Sequence, residues 1–249
     1  MSFCSEDLDA MSGELKTMLA EQGVLLRKIV SSALDAFFTA DAEKAQDAIA
    51  LDDTIDETDV EVERRAVALL MEVANKATPC DDSPLRSLLT LVKVNNEYER
   101  IADAGVDIAH RAIRLSGSPA AFPPTTRVMT NSVLGILRDT TKAYDKQDAT
   151  LARLVLQSES MVLTFKAEIM RAAERAVASG EMPVDLAFDL HELAGQCVLM
   201  VDHATNVAEQ VIWETTGVIV RHREGEWVEQ SARDAVAQDE ATRNGDSDV

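Results

Sequence analysis

Carboxylates interrupt an apolar helical stripe in the first half of this chain. Four acids recur every three or four residues, in the same sector of a predicted helix as the apolar residues before and after them. The acids are Asp52, Asp56, Asp59 and Glu63, and the apolar residues are Ala45, Ile49, Ala66 and Leu70. An apolar sector is expected to face the interior, where an unpaired carboxylate is costly. The spacing therefore predicts a cation among these acids.

A second segment repeats the pattern, because Glu99 and Asp103 share a sector with apolar neighbours. Those neighbours are Leu85, Leu88, Val92 and Val106. Acid-xxx-acid pairs on two inward-facing helices favour a metal site built from oxygen ligands without histidine. Such ligands suit hard ions, and we keep Fe, Mn, Mg, Zn and Ca as candidates, with more than one ion. The alternative is a solvated stripe on a locally bent helix.

Composition predicts an all-α chain whose partners are cations or basic surfaces. The sequence is 46% hydrophobic and 4% aromatic, with few Gly (10) and Pro (6). The 44 acidic and 24 basic residues give a net charge of −20, which argues against nucleic acid and anionic membranes as partners. Three cysteines without a CxxC motif, and no signal-peptide or membrane-spanning run, predict a cytoplasmic protein.

Six helical stretches can be recognised from the apolar period and the breakers between them. They cover residues 6–39, 41–76, 83–115, 124–146, 148–179 and 182–222. The last three repeat the first three: at an offset of 107 Asp41 recurs as Asp148, and at an offset of 99 Asp103 recurs as Asp202. Long helices in a duplicated unit predict an all-α fold of two tandem, spectrin-like three-helix bundles lying end to end.

The predicted domains follow from this duplication. The first repeat covers residues 1–117 and the second covers residues 118–223. Residues 224–249 carry eight acids and two bases, so we expect a disordered acidic tail. The body still carries −14 without that tail.

Three motifs carry a resemblance to a known family. Residues 96–109 read NEYERIADAGVDIA, and residues 202–209 read DHATNVAE, followed by TGVIVRH at 216–222. Both resemble the helix signatures of PhoU proteins, and the DDTID of residues 52–56 resembles that family's D-x-x-I-D motif. The resemblance spans roughly residues 6–223 and implies the same duplicated helical bundle.

The resemblance also implies a function. PhoU proteins are cytoplasmic accessory regulators of phosphate uptake and phosphate-starvation signalling, and they act by binding rather than as enzymes. We therefore expect this chain to bind the ATPase subunit of a phosphate ABC transporter and a sensor histidine kinase, and to form a homodimer. The family's metal-binding motifs fall on Asp52, Asp56, Glu99 and Asp103, and we add three neighbouring acids as candidates. These are Asp59, Glu63 and Asp107.

The second repeat departs from the family pattern. Glu159 and Asp202 correspond to Asp52 and Asp103, but four other acids are replaced. Leu163, Lys166, Met170 and Val198 stand where repeat 1 has Asp56, Asp59, Glu63 and Glu99. We predict a restored apolar stripe and a degenerate site, with Glu159, Asp202 and Asn206 as weaker metal candidates. Asn206 shares its repeat position with Asp107, for which hydrogen bonding between helices is the alternative.

Other functions stay open at this point. One is an accessory subunit of another phosphate or anion transporter, of the sodium–phosphate cotransporter type. Another is a metal-binding helical bundle without a signalling role. A di-iron carboxylate enzyme needs Glu-x-x-His on two helices. The four histidines follow Asp107, Phe188, Met200 and Ile219 at that spacing, so we expect structural histidines and no enzyme.

Overall fold

The computed structural model describes residues 5–74, 82–117, 121–223 and 226–231. Over these ranges the chain is helical apart from one terminal hairpin. The helices are α1 (Ser5–Thr39), α2 (Ala42–Ala50), α3 (Asp52–Ala74), α4 (Asp82–Leu115), α5 (Pro124–Lys146), α6 (Ala149–Leu156), α7 (Glu159–Ala178) and α8 (Val184–Thr216). The strands are β1 (Val218–Arg223) and β2 (Glu226–Ser231). Within these ranges, every helix is too short or too polar to span a lipid bilayer.

Each repeat forms a three-helix bundle whose middle arm is broken into two helices. In repeat 1, α1 and α4 pack together and α3 packs against both. In repeat 2, α5, α7 and α8 make the same arrangement. The all-α duplicated-bundle prediction is therefore confirmed.

The two bundles lie side by side, so the end-to-end arrangement that we expected is wrong. Helices α4 and α8 run antiparallel along their lengths: Ser87 meets Glu214 near one end, and Arg111 meets Glu192 near the other. Helix α1 also packs antiparallel against α5, because Gly23 lies beside Thr141 and Phe38 lies beside Arg127. Four helices are apolar on two faces and form the interior of the molecule. They are α1, α4, α5 and α8. Helices α3 and α7 lie outside it.

The breaks in the middle arms correct two predicted helices. The stretch 41–76 is interrupted at Leu51, and the stretch 148–179 is interrupted at 157–158. Asp41 and Asp148 cap α2 and α6 by accepting hydrogen bonds from backbone N–H groups of the first turn. Because the helix restarts at Asp52, its acids do not continue the buried stripe of α2, contrary to the single-helix reading.

The end of repeat 2 also differs from the expectation. Helix α8 ends at Gly217, whose φ of 71° is the left-handed conformation that favours glycine, so the predicted helix does not reach residue 222. The chain then forms β1, which pairs antiparallel with β2. The tail predicted to be disordered from residue 224 therefore contains a strand up to Ser231. Residues 232–249 lie outside the described ranges.

Candidate metal centre

Antiparallel packing of α3 against α4 brings the acids of the two predicted motifs to one groove. Asn95 of α4 donates a hydrogen bond of 2.6 Å to the Asp59 carboxylate of α3. One end of the groove thus sets Asp59 near Glu99, and the other sets Asp52 near Asp103, as their electrostatic coupling shows. The two helices therefore place five of the predicted acids along one groove: Asp52, Asp56, Asp59, Glu99 and Asp103.

The acids lie at the surface of the bundle, not in its core. Asp52, Asp59 and Glu99 are half-buried, whereas Asp56, Glu63 and Asp103 are exposed. We predicted that the sector with these acids faces the interior, and the structure corrects this, because the sector faces an open groove. The groove is open because α3 lies on the outside of the bundle and covers only one side of α4.

Burial and, after it, the charges of neighbouring acids raise the pKa of the half-buried carboxyls. Burial, and then the charges of Asp56 and Asp103, raise the pKa of Asp52 to about 6. Burial and the neighbouring acids likewise raise the pKa of Glu99 to about 6, and Glu99 when protonated can donate a hydrogen bond to Asp103. The neighbouring carboxylates thus add to the cost of ionising Asp52 and Glu99.

The pKa values of Asp59 and Asp103 are raised as well, in both cases chiefly by burial. Smaller effects oppose this. The hydrogen bond from Asn95 lowers the pKa of Asp59, and the bond with Glu99 and the charge of Arg100 lower that of Asp103. Burial, together with the neighbouring acids, therefore favours the protonated forms of both carboxyls.

Apart from the charge of Arg100 near Asp103, protein cations do little to compensate for this negative charge. Among the described residues, no Lys, Arg or His forms an ion pair with any of the six acids of α3 and α4. The Oδ1 atom of Asp52 is buried and has no hydrogen-bond partner. Carboxylate oxygens that are not paired with a protein cation suit a hard divalent or trivalent ion as ligands.

The side chains are nevertheless not arranged as a finished ligand set. Within the described ranges, nowhere do three or more Asp, Glu, His or Cys side chains already converge at metal-ligand spacing. Asp107 points across to repeat 2, where its carboxylate accepts a 2.9 Å hydrogen bond from Gln196. An ion would therefore require rotation of the exposed carboxylates towards the half-buried ones.

Three functional contacts were missed from the sequence. Asn95 holds Asp59 and is itself fully buried. Its position one turn before Glu99 on α4 is the signal that could have identified it. Between the repeats, Glu97 accepts hydrogen bonds from Asn206 (3.2 Å) and interacts with His203 Nδ1 at 2.7 Å. Asn206 thus forms the interhelical hydrogen bond that was its alternative role.

The second repeat does not assemble an equivalent cluster. Glu159 is half-buried in the first turn of α7, Asp202 is exposed on α8, and no hydrogen bond or ion pair links the side chains of these two described residues. The replacement Leu163 is 46% exposed, and Met170 is half-buried. The stripe predicted to be restored as core is therefore a partly exposed apolar face.

The remaining candidates for chemistry have ordinary surroundings. Cys197 is a buried free thiol, and burial raises its pKa to about 12. Cys4 and Cys80 lie outside the described residues. His191 contacts the Met170 sulfur at 3.3 Å.

Comparison with known proteins finds relatives in sequence for both repeats. A profile described as the PhoU domain matches residues 19–112 and 126–211, one copy in each repeat. The "Phosphate-specific transport system accessory protein PhoU homolog 1" of Thermotoga maritima is 26% identical over 82% of this chain and 86% of its own. The corresponding PhoU homolog of Pseudomonas aeruginosa is 27% identical over 88% of this chain and 89% of its own.

Solved structures show the same fold. The phosphate transport system regulatory protein PhoU from Streptococcus pneumoniae matches 86% of this chain and 100% of its own with a TM-score of 0.76 at 21% identity. PhoU from Pseudomonas aeruginosa matches 84% of this chain and 99% of its own with a TM-score of 0.76 at 24% identity.

Proposed function

The chain belongs to the PhoU family, and we propose on this premise that it is an accessory regulator of phosphate uptake and phosphate-starvation signalling. The observation that supports this function is the match of both repeats to the PhoU domain, together with relatives of similar length that are named as accessory proteins of phosphate-specific transport systems. We infer that it acts in the cytoplasm, by binding rather than by catalysis.

We propose two protein partners, the ATPase subunit of a phosphate ABC transporter and a sensor histidine kinase. The net charge of −20 favours partners with basic surfaces, because complementary charge speeds encounter and excludes wrong partners. Raising salt from low to physiological concentration should therefore slow association more than it speeds dissociation. We also propose that the chain forms a homodimer, which light scattering of the purified protein would test.

We further propose that the groove between α3 and α4 holds metal ions. The half-buried Asp52, Asp59 and Glu99 and the exposed Asp56 and Asp103 would supply the oxygen ligands. A bound cation would neutralise carboxylates that now raise one another's pKa. The ion would thereby fix α3 against α4 and would shape the outer surface of repeat 1.

The metal proposal is tested by elemental analysis of the purified protein. Replacing Glu99 and Asp103 together by Ala should remove most bound metal. The Asp202→Ala variant should retain it, because repeat 2 has lost four of the corresponding acids. Metal that persists in the double variant, or that disappears in Asp202→Ala, would contradict an asymmetric site.

The partner proposal is tested with purified proteins and in cells. The chain should bind the transporter ATPase subunit and the cytoplasmic part of the kinase in biolayer interferometry. Deletion of its gene should activate a phosphate-starvation reporter in phosphate-replete medium. Binding only to a sodium–phosphate cotransporter would favour the other transport function, and capture of nucleic acid instead would reject both.

A further inference from the structure

A polar pocket lies between α1, α2 and α5, where the two repeats meet. It has a volume of about 360 Å³. Ligand pockets are usually lined mostly by apolar side chains, with only a few polar groups. This lining is instead mainly polar, which indicates a charged ligand. We call it the α1–α5 pocket, and its main polar side chains are Ser31, Ser32 and Asp35 on α1, Lys44 on α2, and Arg127 and Asn131 on α5.

Three polar side chains of the pocket have no partner in the protein. Among the described residues, nothing forms a hydrogen bond with the side chains of Ser31, Ser32 or Asn131. Other exposed hydroxyls of these two helices, such as those of Thr39 and Ser132, donate to the backbone carbonyl four residues earlier. The hydrogen-bonding groups of the two serines and the asparagine are therefore available to whatever fills the pocket.

The Arg127 guanidinium is the cation of the pocket that the protein leaves unpaired. Its Cζ atom lies 4.0 Å from the centroid of the Phe38 ring. Within the ranges that the structure describes, no carboxylate forms an ion pair with it. Contact with the ring fixes the guanidinium while the N–H groups at its edge stay free. Such a fork of donors matches two oxygens of a phosphate ion.

The second cation of the pocket is paired with a carboxylate. Lys44 Nζ on α2 donates a hydrogen bond to Asp35 Oδ2 on α1, and the two side chains are 39% and 49% exposed. This hydrogen bond raises the pKa of Lys44, so the ammonium stays charged at neutral pH. The pair offers a ligand the other N–H donors of the ammonium and a carboxylate that can accept a hydrogen bond.

The charges around the pocket are balanced, whereas the chain as a whole carries −20. Within about one helical turn, three more cations and four more acids surround the two cations and one acid of the lining. An anion is therefore held by direct contacts, and it gains little from the general electrostatic field. The neighbouring charged residues are Arg27, Lys28, Arg138 and Asp139 along α1 and α5, and Asp41, Glu43 and Asp47 along α2.

A protonated phosphate ion complements these groups. Its unprotonated oxygens accept hydrogen bonds from Arg127 and Lys44. Free phosphate also keeps a P–OH group at neutral pH, and this group donates to the Asp35 carboxylate. Sulfate has the same shape but no proton to donate, so Asp35 would face it with an unpaired like charge. The carboxylate that repels other anions thus selects free phosphate.

We propose that the α1–α5 pocket binds inorganic phosphate in a protonated form. Arg127 and Lys44 hold its oxygens, and Asp35 accepts a hydrogen bond from its P–OH group. The pocket joins α1 of repeat 1 to α5 of repeat 2, so the bound ion links the two repeats. The proposal rests on the proposed function for its purpose, because a regulator of phosphate uptake needs a signal of phosphate concentration.

Isothermal titration calorimetry of the full chain tests the pocket, with potassium phosphate and potassium sulfate as probes. EDTA is present so that metal ions in the α3–α4 groove do not bind the phosphate. Arg127→Gln removes the unpaired cation, and Asp35→Asn removes the charged acceptor. Circular dichroism verifies that each variant folds.

Lys142→Gln is the matched control, because it also removes one exposed cation from α5. Lys142 lies eleven residues after Asn131, which is about 16 Å along the helix. That separation exceeds the screening length of about 8 Å at physiological salt. We expect the phosphate affinity of this variant to stay within about twofold of the native value.

We expect the native chain to bind phosphate at least about tenfold more tightly than sulfate, because only phosphate can donate to Asp35. Arg127→Gln should weaken phosphate binding at least about tenfold, since it removes charge-assisted hydrogen bonds. Asp35→Asn should bind sulfate better and reduce the preference for phosphate to less than about threefold.

Other results would overturn the pocket. These are equal native affinity for sulfate, unchanged phosphate binding by Arg127→Gln, an unchanged preference for phosphate in Asp35→Asn, or a tenfold loss in Lys142→Gln. AMP tests whether a phosphate ester is the ligand instead. At pH 8 its phosphate has lost the last proton, so AMP should bind more weakly than inorganic phosphate. Equal binding of AMP would contradict free phosphate as the ligand.

The outcomes separate this pocket from the proposed function. A chain that binds the transporter ATPase subunit but no phosphate would overturn the pocket and leave the proposed function intact. A chain that binds phosphate as expected, but neither the ATPase subunit nor the kinase, would reject the proposed function and leave the pocket standing.

Discussion

Removing one carboxyl charge from the α3–α4 groove should stabilise the metal-free protein and weaken its response to metal. The changes are Asp52→Asn and Glu99→Gln, each of which keeps the shape of the side chain. Both native residues have a pKa raised to about 6, so the folded protein binds their protons more tightly than the unfolded chain does. At neutral pH, their ionised forms therefore reduce the free energy of unfolding.

The magnitude follows from the shift in pKa. For Asp52 the rise from 3.8 to about 6 corresponds to about 3 kcal/mol. Because the side chain is only half-buried, solvent screening reduces this to about 1 kcal/mol. A similar discount gives about 1 kcal/mol for Glu99. Each variant should raise the melting temperature of the metal-free protein by roughly 2–4 °C at pH 7.

The dependence on pH has a definite sign. A raised carboxyl pKa contributes stability that is fully present below the unfolded-state pKa and is lost as pH rises through about 6. The advantage of Asp52→Asn over the native chain should therefore be largest at pH 7 and should vanish near pH 4. A carboxyl stabilised by pairing with a cation would show the opposite trend.

The assay is chemical denaturation at pH 7, first with EDTA and then with Mn²⁺ as the probe ion. With EDTA both variants should be more stable than the native chain. With ion at about 100 times its dissociation constant, the native chain should gain about 2.7 kcal/mol and the variants less. Glu57→Gln, an exposed change on α3 outside the cluster, is the control. Variants less stable than the native chain in EDTA would refute the electrostatic reasoning.

Three further predictions concern the scaffold. Gly105→Ala should lower the free energy of unfolding by about 1 kcal/mol in urea, because its Cβ would lie only 3.1 Å from a side-chain carbon of Ile29 on α1. A higher free energy of unfolding would show that α1 and α4 can move apart to accept the methyl group. Arg221→Ala should lower the free energy of unfolding in urea by about 1–3 kcal/mol, because it leaves the buried Glu209 unpaired. The double variant with Glu209→Gln should regain most of that free energy. Truncation after residue 231 should leave the melting temperature and ATPase-subunit binding unchanged, whereas truncation after 227 should disturb β2.

The helices themselves could be predicted from the sequence, because apolar period, caps and breakers are local signals. Asp41 and Pro183 mark helix starts in both the sequence and the structure. The packing of the two repeats is not local. It depends on α4 and α8 each burying a second face, and a single sequence with long apolar helices does not distinguish side-by-side from end-to-end bundles. The hydrogen bonds from Ser87 to Glu214 and from Arg111 to Glu192 join residues that are far apart in the sequence, so only the structure shows them.

The residues of the candidate site could be predicted from the sequence, but the solvent exposure of their side chains could not. Spacing predicted that Asp52 and Glu99 belong to one cluster, and the structure sets Asp52 near Asp103 and Glu99 near Asp59 along one groove. The same spacing implied a buried sector, because it treated residues 41–76 as one helix. The interruption at Leu51 ends that continuity, so the acids follow the outer edge of α3. Periodicity reports which side chains share a face, whereas exposure depends on what else packs there.

The two repeats carry different side chains on their outer faces. An outer helix pair covers only one side of its bundle, so each repeat leaves one groove open to solvent. Repeat 1 fills that groove with mutually repelling carboxylates, a state that a bound cation would relieve. Repeat 2 places Leu163, Lys166 and Met170 at the corresponding positions, so its outer face is apolar with one exposed lysine. The side chains of repeat 1 therefore favour a bound cation, whereas those of repeat 2 do not. A chimera that transplants Asp56, Asp59, Glu63 and Glu99 into repeat 2, at positions 163, 166, 170 and 198, should therefore gain metal in elemental analysis, because Glu159 and Asp202 already stand at the two remaining positions. A chimera that folds normally and binds no metal would show that these six carboxylates are not sufficient for the site.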